Sequence, residues 1–134
     1  MKLWKPVVLV SIPVLLLISN DPMPPRGHVD LRRDTTGFTY VQDVAPIIKS
    51  YCLSCHGSDN DNPSDLYMDD YETLMKGGKH GVPVVPGNPD QSSLYFKLLP
   101  EPPFGKQMPR GHKKITSQAV KTIHDWIEQG AKER

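Results

Sequence analysis

Residues 51–57 read YCLSCHG, and both cysteines of this 134-residue chain lie in this stretch. Cys52 and Cys55 are separated by two residues, and His56 directly follows the second. This spacing is compatible with four kinds of site: a redox disulfide, half of a zinc site, a structural disulfide, or the covalent attachment of haem. The rest of the sequence distinguishes between them.

The surroundings of the cysteines favour haem. A redox CxxC pair belongs in a βαβ context, and this sequence predicts helices. Zinc needs about four ligands, and the candidates to complete such a site, His80 and His112, stand at no recognisable zinc spacing. A structural disulfide leaves His56 unexplained. In C-x-x-C-H both thiols add to haem vinyl groups and the histidine becomes the proximal iron ligand, which predicts haem c on Cys52, Cys55 and His56.

The amino terminus predicts export. Two lysines precede an apolar run of thirteen residues, PVVLVSIPVLLLI, at positions 6–18, the pattern of a secretory signal. The run is shorter than the roughly 20 residues that span a bilayer, so we expect residues 1–20 to be a signal peptide. An uncleaved membrane anchor through residues 3–18 is the alternative, because SNDPMPP offers no small-x-small cleavage site. We therefore predict a periplasmic protein, or one anchored to the outer side of the cytoplasmic membrane.

Length, charge and composition predict one small domain. A chain of this size supports a single modest core, and its net charge is only +1. It lacks the broad basic field of a nucleic-acid binder, so we expect no nucleic-acid partner. Residues 21–37 are rich in proline and charge and predict a linker. Residues 38–134 then form the domain.

Four helical stretches predict that this domain is all-α. The first begins at Asp43 as the expected N-cap and leads into CLSCH. Its apolar positions follow the helical period: Val44, Ile47, Ile48 and Tyr51. The second is DYETLMK at positions 70–76, capped from Asp69 or Asp70 and ended by two glycines.

The third and fourth stretches begin at clear start signals. Asn88 followed by Pro89 predicts a helix through SSLYFKLL at positions 92–99, and Thr116 caps the last helix. One side of the last helix is formed by Ala119, Ile123, Trp126, Ile127 and Gly130. This side needs an apolar partner, and the first helix offers one, so we expect the two ends of the domain to cross. The best strand signal, VPVV at positions 82–85, is weak.

Five motifs run through residues 38–131: VAPIIKSYCLSCHG, YETLMKGG, VVPGNPDQSSLY, the pair Met108 and Pro109, and IHDWIEQGA. Together they resemble the small class I-like c-type cytochrome domains of the planctomycete type. The resemblance implies a cytochrome c-like fold of about four helices wrapped around one covalently bound haem, and electron transfer as the function. It also implies Met108 as the axial methionine. Arg110 departs from the family, which often has a second proline there.

The sixth iron ligand separates an electron carrier from a haem that binds small molecules. Met68 and Met75 fall in the stretch LYMDDYETLMKGG and are interpreted as core residues. Met108 lies in FGKQMPRG, a loop that can reach the haem face opposite His56. We therefore predict Met108 as the distal ligand, which favours ferrous iron. His112 in the same loop, or an open sixth position, is the alternative.

Two charged segments differ in sign. Residues 59–72 hold six acids and no base, which predicts a solvated acidic face. The DNDN within them lacks the Gly and Glu of a calcium loop. The segment around Met108 carries a basic cluster: Lys106, Arg110, Lys113 and Lys114. We expect this cluster to steer an acidic redox partner towards the haem edge; a solvated loop without a partner is the alternative.

The sequence thus predicts an electron carrier or electron-transfer subunit rather than an enzyme. Ser and Asp residues are scattered, and no protein-based catalytic constellation stands out. The alternative is a haem-based sensor or enzyme with an open or His-ligated sixth position.

Overall fold

The structure, a computed structural model, describes residues 37–62, 64–111 and 113–134. The predicted signal peptide or anchor at 1–20, residues 21–36 of the predicted linker, and the candidate ligand His112 lie outside the described residues. Within the described ranges the secondary structure is helical and contains no strand, so the prediction of an all-α domain is confirmed. No helix in these ranges is long and apolar enough to cross a membrane.

The described part of the chain forms five short α-helices, where the sequence predicts about four. They are α1 (Ala45–Tyr51), α2 (Leu53–His56), α3 (Tyr71–Lys76), α4 (Ser93–Phe96) and α5 (Ser117–Glu128). A π-helical turn, Tyr40–Val44, precedes α1, and a 3-10 turn, Pro89–Gln91, precedes α4. The additional helix arises because the first predicted stretch is interrupted at Cys52, after which the CLSCH segment forms a helical turn of its own.

The first helical segment begins earlier than the sequence predicts. Thr39, not Asp43, is the N-cap: its hydroxyl oxygen accepts a hydrogen bond from the Gln42 amide at 3.3 Å. The Asp43 carboxylate accepts one from the Thr39 amide at 2.9 Å. The two bonds satisfy amides at the helix start reciprocally, as in a capping box. Asp43 therefore supports the cap from inside the helix, because the turn Tyr40–Val44 extends the helical backbone towards the amino terminus.

The starts of α3 and α5 are confirmed. The Asp70 carboxylate accepts from the Thr73 amide at 2.8 Å, while the Thr73 hydroxyl oxygen accepts from the Asp70 amide at 3.2 Å. Helix α3 ends at Gly77, whose φ of 78° favours glycine. The Thr116 hydroxyl oxygen accepts from the Ala119 amide at 3.2 Å. These starts depend on side chains within three residues of the amide they bind.

The predicted third helix is divided at Ser92. Asn88 makes no side-chain cap hydrogen bond, and the residues after it form the 3-10 turn. Ser92 is buried, and its hydroxyl donates to the Asn88 carbonyl at 2.8 Å while accepting from the Val85 amide at 2.8 Å. A serine that bonds to nearby backbone groups competes with helical hydrogen bonding, so α4 is a single turn. Residues 82–85 form no strand, in part because Val85 binds Ser92.

The core lies where the first helical segment packs against α5, so the two ends of the domain meet as predicted. The buried residues from these two segments include Tyr40, Val44, Ile48, Ile123, Trp126 and Ile127. The Tyr40 and Trp126 rings lie 6.0 Å apart, and the Tyr40 amide and the Trp126 indole N–H both donate to the Lys132 carbonyl at 2.9 Å. Gly130 lies beyond the end of α5, in a turn with φ of 96°, and so is not part of the helical side.

Candidate functional site

A cavity of about 760 Å³ lies between α2, α4 and the loop from α4 to α5. This volume is within the range of about 300–1,000 Å³ that small-molecule and cofactor sites occupy. The four predicted site residues all line it: Cys52, Cys55, His56 and Met108. Apolar side chains form much of the remaining wall: Leu66, Met68, Pro83, Leu94, Leu98 and Phe104. The fold therefore brings two distant segments of the sequence to one apolar-walled cavity.

The two cysteines are held by a tight helical turn. The amides of Cys55 and His56 donate to the Cys52 carbonyl at 3.0 and 2.9 Å. Both thiols are free; Cys52 is half-buried and Cys55 is exposed. Burial, followed by the neighbouring Cys55, raises the pKa of the Cys52 thiol to about 11. This thiol is therefore protonated at neutral pH, whereas redox-active CxxC pairs depend on a thiolate.

The His56 ring is held through one nitrogen. Its Nδ1 lies 2.9 Å from the carbonyl oxygen of Leu66. A carbonyl only accepts, so Nδ1 carries the proton of this bond, and Nε2 is the ring nitrogen that this bond leaves unused. Hydrogen bonds of this kind orient the histidines that bind metals. The bond to Leu66 thus fixes the ring and leaves Nε2 as the nitrogen available to a metal.

Met108 lies on a loop that is hydrogen-bonded to the residues at and after the end of α4. The Met108 amide donates to the Lys97 carbonyl at 2.7 Å, and the Gln107 side chain donates to the Leu98 carbonyl at 2.9 Å. The Lys97 ammonium donates to the Phe104 carbonyl at 2.7 Å. These three bonds hold the segment around Met108 against the cavity.

The other two candidate methionines are placed differently. Met75 lies in α3, packs against the core and does not line the cavity, in agreement with its interpretation as a core residue. Met68 is also in the core, at 5% exposure, but it precedes α3 instead of lying in a helix, and it lines the cavity. Its amide donates to the His56 carbonyl at 2.9 Å. Met68 is therefore tied to the His56 side.

The cysteines and His56 do not converge as a metal cluster does. Among the described residues, the His, Cys, Asp or Glu ligand atoms that meet in threes within 4.8 Å belong to His124, Asp125 and Glu128. Of these, Asp125 is already engaged: hydrogen bonds from Lys121 and then His124 lower the pKa of its carboxyl. Tetrahedral zinc requires convergent ligands. The separated thiols and imidazole instead match haem attachment, in which they act at different points of one large group.

The segment that builds the cavity matches a known family. Residues 52–110 match the family model described as Planctomycete cytochrome C. This match supports a cytochrome c-type domain in this part of the chain. The matched segment begins at Cys52 and ends at Arg110, so it includes both CxxCH and the Met108 loop. No curated protein and no solved structure matches the chain.

The cytochrome c family implies haem c and suggests haem-based electron transfer. The residues of this cytochrome domain fit that cofactor on structural grounds. The cavity has free thiols at CxxC spacing, an imidazole with an available Nε2, a thioether and apolar walls. These are the ligand types and the surroundings that c-type haem uses.

The predicted basic cluster of the cytochrome domain divides into two parts. Lys106 and Arg110 are exposed and line the cavity, and Lys114 is exposed as well. Lys113 instead donates to the Ser50 carbonyl at 2.8 Å, and its ammonium lies 4.6 Å from the centre of the Tyr51 ring. A cation is stabilised both by a helix C-terminus and by an aromatic face. Lys113 therefore ties the loop after Met108 to the end of α1.

Sequence reasoning missed Asn62, a buried residue beside His56. The predicted solvated face is confirmed for the six acids of residues 59–72, which are all exposed. Asn62 lies among them but is only 5% exposed and lines the cavity. Its amide nitrogen donates to the Leu66 carbonyl, the group that also bonds His56. A single polar residue in an acidic loop carries no sequence signal of such a contact.

Proposed function

We propose that this cytochrome domain carries one haem c, attached through Cys52 and Cys55, with His56 and Met108 as axial iron ligands, and that it transfers single electrons. The observation that carries the proposal is the shared cavity, whose wall contains all four groups. When bound, haem supplies a one-electron couple between ferric and ferrous iron.

The protein's part is to hold ligands and to set the balance between the two oxidation states. The Leu66 carbonyl keeps the proton on His56 Nδ1 and leaves Nε2 for iron. The Met108 thioether, as a ligand beside the His56 imidazole, would favour ferrous iron and raise the potential. The apolar walls exclude water and disfavour the additional charge of ferric iron. Each effect supports a carrier of relatively positive potential.

A sensor or enzyme with a His-ligated or open sixth position is the second candidate. His80 is the observation in its favour, because this exposed histidine also lines the cavity. The Met108 loop is the stronger support for the carrier, since three hydrogen bonds hold it beside the cavity. The exposed side chain of His80 instead lies 6.5 Å from the Phe104 ring.

An acidic redox protein is the partner that the cavity rim fits best. Lys106 and Arg110 supply positive charge there, and Phe104, at 49% exposure, supplies an apolar contact. Charge of this kind raises encounter rates without tight binding, which suits transient electron transfer. Lys114 extends the charge, while Lys113 is engaged with Ser50 and Tyr51.

We also place the protein outside the cytoplasm, either free in the periplasm or anchored through residues 3–18. The apolar run of the amino terminus and the CxxCH motif support this location. Native protein that stays on washed membranes and begins at or near Met1 would establish the anchor. Soluble protein beginning near residues 20–24 would establish cleavage.

A redox titration with optical spectra tests the electron-carrier function. We expect ferric protein to show the weak long-wavelength sulfur-to-iron band, and ferrous protein to bind carbon monoxide poorly. Both properties follow from a sixth position closed by a thioether. Rapid and complete carbon monoxide binding by the unmodified ferrous protein would contradict the carrier and favour the sensor or enzyme.

A further inference from the structure

The Leu66 carbonyl accepts hydrogen bonds from two side chains on the wall of the cavity. His56 Nδ1 lies 2.9 Å from it, and Asn62 Nδ2 donates to the same oxygen. The two side-chain nitrogens are 3.3 Å apart. Asn62 therefore contacts both the histidine ring and the one acceptor that orients that ring.

The orientation of the Asn62 amide is determined by Ser64. The Asn62 oxygen Oδ1 accepts from the Ser64 backbone amide at 3.2 Å and from the Ser64 hydroxyl at 2.8 Å. A backbone N–H only donates, so the oxygen faces Ser64 and the NH₂ group faces Leu66 and His56. At 5% exposure, Asn62 has little competition from water for these bonds. The positive end of a side-chain dipole is thus held against the histidine.

This arrangement reduces the electron density that His56 can donate. A metal-bound imidazole becomes a more basic ligand as its N–H bond to an acceptor strengthens. Asn62 takes part of the accepting capacity of the Leu66 carbonyl, and its NH₂ group disfavours positive charge nearby. Both effects oppose ferric iron, since ferric iron carries the larger positive charge and gains more from a basic ligand.

We propose that Asn62 is a positioning residue that keeps the reduction potential of the haem high by weakening the bond between His56 and the Leu66 carbonyl. The proposal rests on the proposed function, because it requires His56 to be the iron ligand. Asn62, on the His56 side of the cavity, thus raises the reduction potential, in the same direction as the Met108 thioether.

Two substitutions in the haem-loaded protein test it. Asn62→Leu removes the dipole at similar volume, and we expect it to lower the midpoint potential. Asn62→Asp replaces the NH₂ group by a carboxylate oxygen beside Nδ1, and we expect the larger decrease. At a fixed electrode potential, Asn62→Asp should lower the ferrous-to-ferric ratio by about tenfold, which for one electron is about 59 mV.

Asn60 provides the matched control. It lines the same cavity, and its Nδ2 also donates to a backbone carbonyl, that of Leu53 at 3.1 Å. Asn60→Leu and Asn60→Asp therefore repeat both chemical changes at a site that bonds a carbonyl other than Leu66. We expect each to shift the potential by less than half as much as its Asn62 counterpart. The iron–imidazole vibration should change in the Asn62 variants and not in the Asn60 variants.

Each result decides between defined conclusions. Unmodified protein without covalent haem, or a His56→Ala variant that keeps the spectrum of the unmodified protein, would overturn the proposed function itself. If His56 ligation is established, Asn62 potentials equal to those of the Asn60 controls, or higher than the unmodified value, would overturn the role of Asn62. Should the Asn62 variants fail to fold, Ser64→Ala removes one of the two donors to Asn62 Oδ1 and leaves the backbone amide in place. It must then lower the potential by a smaller amount in their place; no decrease would also overturn the inference.

Discussion

The two walls of the cavity are built by contacts of different range along the chain. The wall with the cysteines and His56 is nearly continuous in sequence, and its turn is closed by bonds from the Cys55 and His56 amides to the Cys52 carbonyl. The Met108 wall is a loop. The Met108 amide binds the Lys97 carbonyl nearby in the sequence, but Lys113 also ties the loop to Ser50 at the end of α1, a contact distant in sequence.

This difference predicts different robustness. Local contacts re-form quickly and survive partial opening, whereas a loop held by contacts distant in sequence is lost when those elements separate. The attachment side should therefore persist under conditions in which the Met108 side detaches.

Removing both thiols should have the largest effect. We expect the Cys52→Ala, Cys55→Ala double variant to lose all haem that survives denaturation and acid extraction, because no thioether bond can form. The unmodified chain should keep the haem mass and the peroxidase stain. Release of free haem from the intact unmodified chain would show that this wall does not attach the cofactor.

Removing the thioether should open the other wall without releasing haem. We expect Met108→Ala to abolish the sulfur-to-iron band, lower the potential and admit carbon monoxide, because the ligand that favours ferrous iron is gone. Met75→Ala is the matched control, since Met75 packs against the core away from the cavity. It should keep the band and cost less than the roughly 2–5 kcal/mol of a fully buried methionine, as Met75 is half-buried.

Weakening the Lys113 anchor should destabilise the Met108 wall and leave the wall with the cysteines unchanged. Lys113→Met removes the bond to Ser50 and the contact with the Tyr51 ring, together worth about 1 kcal/mol for an exposed side chain. In urea, we expect the sulfur-to-iron band to disappear earlier than in the unmodified protein, while haem attachment is unchanged. Lys114→Met should have no such effect. Equal midpoints for both variants would argue against Lys113 as an anchor.

We expect the smallest effect from removing the Tyr40 hydroxyl, which lies in the core outside both walls. This change should alter only the pH dependence of the free energy of unfolding. Burial, with smaller contributions from Asp70 and Asp69, raises the pKa of Tyr40 to about 12, against about 10 in an unfolded chain. Between these values the folded state retains a proton that the unfolded state loses, so stability falls as pH rises. In Tyr40→Phe, the free energy of unfolding should fall less steeply with rising pH. Urea unfolding followed by circular dichroism at several pH values measures it. Parallel pH profiles would exclude Tyr40 as its source.

The local helix signals show how far the sequence predicts the fold. Asp70 and Thr116 cap the helices they were expected to cap, because a cap needs only an oxygen within three residues of a free amide. Asp43 and Asn88 are also of residue types that favour N-caps, yet Thr39 caps the first segment and Asn88 makes no side-chain cap bond. The interruption at Ser92 depends on its hydrogen bond with the Val85 amide. Val85 lies outside the predicted helical stretch, so the helical pattern does not reveal this contact.

The sequence alone predicts the proposed attachment chemistry: CxxCH specifies two thiols and an imidazole close together, because five consecutive residues cannot lie far apart. It also determined the all-α class through helical spacing and caps. The folded structure was needed to show that Met108 shares their cavity, that Lys113 anchors a loop and that Asn62 contacts His56. The first two placements depend on contacts between segments distant in sequence, whose geometry is set by the packing of the whole core. The third depends on the conformation of the loop after α2, which brings Asn62 and Leu66 back to His56.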